Sequence, residues 1–530
     1  MAVESQHTSL HKTVDLGDGL VMRWSTKADT ENVASLVSEA FKWFPLGVEV
    51  PDDRVPGPNE FMRAGVRRLL SGKTPTMSEN HYALVEDTKR KDGENPIVAC
   101  VSLHTVSGFY GSINLPFGKP ELIATDPDYR NRGLVRKLLL GMVHPESEAR
   151  GDILQFIPGI GYFYRQFGYD YGLSMAGASR IETPDMIPRL PKDKSEPYTL
   201  RQATLEDLPF LNRLSTRERL HANIQVGAYY TNEYWKYTVH DAFQEKQSIF
   251  DCDRDTRIIT EVASGRPVGF TIMSFAFFGT SLEAMALEED AVVVDMTDSV
   301  LRQLFAIAKD HMDELNQGRD ALSKKNAPAQ EQQAEASKAS ETKADDKPAP
   351  ISMSLRLHPK HPLIVLLGNK ALRGPENIPS GFRLYTRIHS YPAFIKAVKP
   401  ELEKRLANSA LAGVSGHLRL DFFRKVEGCS GKGLEIVLEK GKIVEAKDWA
   451  KPTFEKLLEE SLAWKKAGNT PVLYQATFSP LTFTSLLTGK NTLEELQWSY
   501  PENNVKGDNT RLLLNTLFPK VDQDFDVFFW

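Results

Sequence analysis

Leu122-Ile-Ala-Thr-Asp-Pro-Asp-Tyr-Arg-Asn-Arg-Gly-Leu-Val-Arg136 is the stretch whose reading decides the fold. Leu122 to Thr125 reads as a short strand and Asp126-Pro127-Asp128 as a turn, because Pro127 fixes φ and cannot donate to a ladder. From Arg130 the spacing of Leu134, Val135, Leu138, Leu139 and Met142 predicts a helix, stopped at His144-Pro145. A strand that runs into a basic, glycine-containing helix start is a cradle for an anion. Free amides of the first turn, the positive end of the helix dipole, and Arg130 and Arg132 would all serve the same ligand. Gly133 lets the backbone approach that ligand closely. The spacing is Arg-x-x-Gly-x-Val, which is neither a P-loop nor the three-glycine dinucleotide fingerprint.

Outward from the cradle, Val21 to Trp24 reads as a strand, followed by a capped helix through Phe41 with Val33, Leu36, Val37 and Ala40 as its buried stripe. Lys42 to Pro58, with Trp43 and Phe44, is a loop that could wall a pocket. His81 to Val85 and Ile97 to His104 read as antiparallel strands joined by a polar turn. Beyond the cradle come a strand at Ile153 to Ile157 and a short helix over Tyr162-Phe-Tyr-Arg-Gln-Phe-Gly168, with Gly168 closing it. This order predicts a mixed sheet with helices on both faces.

The cradle resembles the pyrophosphate loop of GNAT-superfamily N-acetyltransferases, Gln/Arg-x-x-Gly-x-Gly/Ala, with Val135 where a small residue is usual. Together with Phe163-Tyr-Arg-Gln-Phe-Gly-Tyr169 it is similar to the enhanced-intracellular-survival branch of that superfamily. The resemblance implies an α+β protein of three units. Residues 1–190 would be a catalytic GNAT domain, and 191–382 a second, degenerate GNAT-like domain. Residues 383–530 would be a sterol-carrier-protein-like domain whose C-terminus completes the active site. It implies acetyl-coenzyme A as co-substrate and transfer to a primary amine. The pantetheine arm would lie on the backbone of Ile123 and Thr125, and the diphosphate on Arg130, Asn131, Arg132, Gly133, Leu134 and Val135. Asn131 stands where the family usually has arginine, so one cradle charge is missing. Tyr164 aligns with the family's general acid, and the α-carboxylate of Trp530 would be the proton acceptor, with Glu121 and His104 as alternatives. The family forms hexamers, so a homo-oligomer is the matching expectation.

The remaining chain tests that scheme. Tyr198-Thr-Leu-Arg-Gln-Ala-Thr-Leu-Glu-Asp-Leu208 repeats Met22-Arg-Trp-Ser-Thr-Lys-Ala-Asp-Thr-Glu-Asn32 about 175 residues later. Where a second cradle should lie, Ala286-Leu-Glu-Glu-Asp-Ala291 carries three carboxylates that would repel a diphosphate, so the second copy is expected to be structural. Residues 319–350 are too poor in apolar side chains to offset their ordering entropy and read as a disordered insertion or a loosely helical surface segment. His358 and His361, beside Pro359 and Pro362, read as turn residues. The helix–strands–helix order after Arg383, with Ser479-Pro-Leu-Thr-Phe-Thr-Ser-Leu-Leu-Thr-Gly489, resembles the sterol-carrier fold. Composition adds bounds. A length of 530 residues exceeds one core, and a net charge of −5 gives no reason to expect nucleic acid or an anionic membrane as partner. Three scattered cysteines, no secretory signal and no apolar run of roughly 20 residues predict a cytoplasmic protein without structural metal. The alternative to an enzyme is an apolar-ligand or acyl-coenzyme A binding module using the third unit.

Overall fold

The computed structural model describes residues 12–42, 57–174, 179–221, 223–241, 254–276, 279–326, 351–371, 383–423, 431–468 and 470–525. Trp43, Phe44, most of the expected insertion and Trp530 lie outside the described residues.

Three sheets organise the described residues. The first takes the order β1 (Val14–Gly17), β2 (Leu20–Trp24), β3 (Tyr82–Asp87), β4 (Ile97–Tyr110), β5 (Ile113–Thr125), β6 (Leu154–Gly159) and β14 (Arg383–Arg387). At its far end β9 (Ile224–Ala228) pairs with β4, and β20 (Asp522–Asp524) pairs with β9. The second runs β7 (Ser179–Ile181), β13 (Met353–Leu355), β12 (Gly279–Leu287), β11 (Pro267–Ala276), β10 (Arg254–Glu261) and β8 (Tyr198–Gln202). The third runs β17 (Lys442–Asp448), β16 (Gly433–Glu439), β15 (Gly416–Phe422), β18 (Leu473–Phe478) and β19 (Asn504–Lys506).

The two segments that repeat in the sequence carry matching local devices. Thr26 and Asp29 form a capping box, with the Arg23 guanidinium donating to both Asp29 oxygens at 2.9 and 2.7 Å. Thr204 and Asp207 form another, with Arg201 donating to Asp207 at 2.8 and 2.6 Å. Each arginine sits on a strand and fixes the turn into the following helix. The strand orders match as well, since β5 runs parallel to β6 as β12 does to β13, and each pair is closed by an antiparallel strand from elsewhere in the chain.

The sheets cut across the expected boundaries at 190 and 382. β7 belongs to the second sheet, while β14 completes the first by pairing along β6 from Arg383↔Gly159 to Arg387↔Gln155. One apolar core therefore joins the first sheet to the third unit. Phe117, Leu154 and Phe156 share it with Phe394, Leu402 and Phe525. The helix Val293–Asn326 also runs through residues 319–326, which the sequence assigned to the insertion. Among the described residues, no helix is long and apolar enough to cross a membrane.

Candidate active site

β5 is much longer than the four residues expected, and its course explains the site. It is paired with β4 throughout, but a bulge lies opposite Val101, where Leu122 takes φ +47°. Such a bulge bends the strand. On its other side β5 meets β6 only at Phe117↔Leu154 and Gly118↔Gln155. From Lys119 to Thr125 the two parallel strands part, leaving a wedge that opens toward the cradle. A parted parallel pair presents backbone amides and carbonyls to whatever enters between them.

The cradle differs in detail from its sequence reading. Pro127–Tyr129 form a 3-10 turn capped by Asp126, and the helix begins at Leu134, not at Arg130. Gly133 is its N-cap in the left-handed region, φ +69°, and a Cβ there would meet nothing within 4 Å. The glycine thus serves the turn's conformation, and the space beside it is open. Among the described residues the amides of Asn131 to Val135 donate to no carbonyl; the first helical bond is Lys137 N–H to Gly133 O, at 3.1 Å. Arg130, Asn131, Arg132 and Gly133 are all exposed. Nor does the helix stop at His144-Pro145. An α-helix over Leu134–Leu138 passes into a π-turn over Leu139–Val143 and resumes as His144–Ala149. The π-turn admits Pro145, which has no N–H to give and would crowd the carbonyl of residue 141 in a regular helix.

The loop is held from behind. Arg90 donates to Asp126 at 2.6 Å and to the Tyr129 hydroxyl at 3.2 Å, and Tyr129 donates to Asp87. Arg132 stacks on the Tyr129 ring, 4.5 Å from its centre, and donates to Asp128 O at 3.0 Å. These contacts fix the loop before any ligand arrives.

Tyr164 stands in a 3-10 turn, Phe163–Phe167, that leaves β6. Its ring lies over Gly159, where an added Cβ would come within 2.2 Å of the ring edge. Phe163, Phe167, Tyr169 and Tyr385 surround it. Three neighbouring phenols are committed to protein. Tyr169 donates to Gln155, Tyr171 and Tyr385 meet at 2.8 Å, and Tyr385 donates to Ile160 O at 2.9 Å. The Tyr164 hydroxyl has no such bond among the described residues, although its side chain is only 8% exposed. Burial, and secondarily the charge of Glu121, pushes its pKa well above the usual phenol value, so it holds its proton.

Below the wedge lies a polar cluster that the sequence reading found only in part. Phe117, Lys119 and Glu121 alternate on one face of β5. Lys119 is wholly buried and its Nζ lies 2.8 Å from Glu121 Oε2. His104, also wholly buried, has its Nε2 3.9 Å from the same oxygen. Burial and the charges of Lys119 and Arg150 push the His104 pKa well below 6.5, leaving it neutral. Glu121 and His104 were recognised as candidates, but Lys119 was not. Alternation along Phe117-Gly-Lys-Pro-Glu121 was the available signal, masked by glycine and proline in the strand.

The tail enters on this same face. β20 pairs parallel to β9, and Gln523 donates to Thr488 O at 2.9 Å while accepting from the Ser174 amide at 2.7 Å. Phe525 is fully buried at the point where β5 and β6 part, with ring centres 6.2 Å from Phe117 and 5.2 Å from Phe156. The structure thus brings the cradle, Tyr164, Glu121 and His104 around one wedge, and carries the chain to within five residues of Trp530.

Residues 22–172, which hold the bulged strand, its parting parallel neighbour, the strand-to-helix cradle and the buried phenol, match the acetyltransferase (GNAT) domain family. That stretch is a GNAT acetyltransferase domain. The whole chain is similar in fold to a GCN5-related N-acetyltransferase from Kribbella flavida, with 13% identity, 96% of this chain and 98% of that one covered, and a TM-score of 0.54. It is also similar to a GCN5-related N-acetyltransferase from Anabaena variabilis ATCC 29413, with 12% identity, 96% and 99% covered, and a TM-score of 0.53. A conserved protein of unknown function from Enterococcus faecalis V583, a probable N-acyltransferase, gives 13% identity, 96% and 100% coverage and a TM-score of 0.53. At these identities the likeness is one of fold. No curated protein matches the chain in sequence. Among the described residues no group of three or more His, Cys, Asp or Glu side chains could hold a metal ion.

Proposed function

We propose that this chain is an acetyl-coenzyme A-dependent N-acetyltransferase of the enhanced-intracellular-survival branch, acting on a primary amine in the cytoplasm, with a sterol-carrier-like third unit. The observation that carries the reading is Tyr164, whose phenol is buried beside the parted strands and, among the described residues, unbonded where three neighbouring phenols are held by protein.

The cradle fits the co-substrate, because its amides at 131–135 are unspent and the space at Gly133 is open. Arg130, Asn131, Arg132, Gly133, Leu134 and Val135 would hold the diphosphate, and the backbone of Ile123 and Thr125 the pantetheine arm. Binding energy at the cradle positions the distant thioester. The thioester supplies an activated acetyl group that a neutral amine attacks directly. Tyr164 keeps a proton at Oη for the departing thiolate, which its raised pKa favours. The incoming ammonium must lose a proton, and we assign its acceptor to the Trp530 carboxylate. Phe525 anchors the tail at the wedge, and five further residues can span at most roughly 18 Å. Glu121 is engaged by Lys119, and His104 is weakly basic, so both are less suited to the task.

The test is release of free thiol from acetyl-coenzyme A with a panel of primary amines, and mass detection of the N-acetylated product. Turnover on at least one amine is expected. Binding of acetyl-coenzyme A with no turnover on any of them would instead favour a binding module.

A further inference from the structure

The second unit repeats the geometry of the first, but its wedge has different chemistry. β12 and β13 pair only from Thr280↔Met353 to Leu282↔Leu355, so β12 runs on through Leu287 toward the start of the helix Val293–Asn326 paired with β11 but no longer with β13. At that place, the counterpart of the cradle, lies a cavity of about 440 Å³. One side is made by Leu287, Glu288, Glu289, Ala291 and Val293, and the others by Arg217, Glu218 and Asn223 and by Lys360, His361 and Pro362. The volume suits a small molecule.

The charges say what kind. Arg217 and Arg213 are both taken up by Glu288, at 3.6 and 2.5 Å, and Arg266 by Asp290 at 3.0 Å. Lys360 pairs with Asp522. The positive start of the helix is met by Asp295 in its first turn, besides Glu288, Glu289 and Asp290 before it. Glu218 remains. It accepts no hydrogen bond among the described residues, and His361 Nε2 lies 3.8 Å from its Oε1. His361 offers it no charge. Its Nε2–H donates to Met285 O at 3.0 Å, its Nδ1 accepts from the Leu363 amide at 3.1 Å, and burial pushes its pKa down to about 4. Burial likewise pushes Glu218 up to about 7, against the pull of Arg217. A carboxylate in that state is one that a bound cation would ionise and hold.

We infer that the cavity of the second unit is a binding site for a small cationic amine, with Glu218 as its counter-ion and Glu289 at its mouth. The diphosphate cradle has thus become, in the second copy, a cleft of opposite preference. The site adjoins the tail, because Asn223 directly precedes β9, on which β20 pairs, and Lys360 holds Asp522 of β20. The inference concerns binding and does not rest on the transfer reaction.

The experiment is hydrogen–deuterium exchange on the full chain with 1,4-diaminobutane as probe, alongside calorimetric titration. Slowed exchange is expected in peptides covering Glu218 and Ala291–Val293. It should be absent with 1,4-butanediol, which has the same length and no charge. Glu218→Gln should raise the dissociation constant at this site at least about tenfold, as loss of a charge-assisted contact does. Ala291→Phe, which fills the cavity and leaves every charge in place, should do the same and serves should the first variant fail to fold. Protection confined to the first unit, no binding at all, or an unchanged dissociation constant in a folded variant would overturn the inference.

Discussion

Phe525→Ala should uncouple the tail from the wedge while leaving co-substrate binding intact. The ring is fully buried between Phe117 and Phe156. Truncating such a ring in a core costs about 3–5 kcal/mol. Phe525 lies at the end of the described chain, beyond a three-residue strand, so the loss falls on docking of the tail and not on the global fold. A penalty of about 3 kcal/mol shifts the docked-to-free ratio by on the order of 10². The remaining ties include the short β20 pairing, Gln523 on Thr488 and Ser174, Asp522 on Lys360 and the Val521 amide on Gly489 O. None of them replaces the apolar contact of the ring with Phe117 and Phe156. Thiol-release kinetics should show turnover reduced by about tenfold or more, while calorimetry gives an acetyl-coenzyme A dissociation constant within about twofold of the parent. Phe525→Leu should recover most of the loss by refilling the space. Parent-level turnover in Phe525→Ala, and again in a chain ending at Val521, would refute the role given to the tail.

Two further expectations follow from the same contacts. Gly133→Ala places a side chain at φ +69° with nothing nearby to clash, so its cost is conformational, about 1–2 kcal/mol, and acetyl-coenzyme A binding measured by titration should weaken roughly 5- to 30-fold. His104 and His144 are both buried and held neutral, with pKa values well below 6.5. Folded-state values below the unfolded one mean that their contribution is complete above about pH 6.5 and is lost as pH falls further. Urea unfolding should therefore show stability decreasing by up to about 1.4 kcal/mol per histidine for each pH unit below 6.5, with a shallower slope in His104→Asn.

Local chemistry was legible in the sequence where neighbours in the chain are neighbours in space. The turn at Asp126-Pro127, the helix carrying Leu134 to Met142 and the capped start of the helix through Phe41 each lie within a few residues, whereas the Arg23–Asp29 and Arg201–Asp207 clasps emerge only from the structure. The start of the helix was misplaced because Arg130 and Arg132 favour helices as residue types, whereas Asn131 at φ +62° and Gly133 at +69° make the backbone turn instead. Pro145 was read as a stop because a π-turn leaves no pattern in side-chain spacing. The pairing of β14 with β6 and of β20 with β9 joins segments hundreds of residues apart, and the Asp-Gln-Asp of β20 carries none of the alternation that marks a strand. Lys119 lies wholly buried between Glu121, two residues along the same strand, and His104, its partner across the hairpin, and a lone lysine in sequence gives no sign of either contact.

The central claim is that the Tyr164 phenol protonates the leaving thiolate in a wedge filled from the cradle. Its most direct measurement is kcat for Tyr164→Phe, alongside the acetyl-coenzyme A dissociation constant of the same protein. The account predicts a fall in kcat on the order of 10² or more with the dissociation constant nearly unchanged. An undiminished kcat would contradict it.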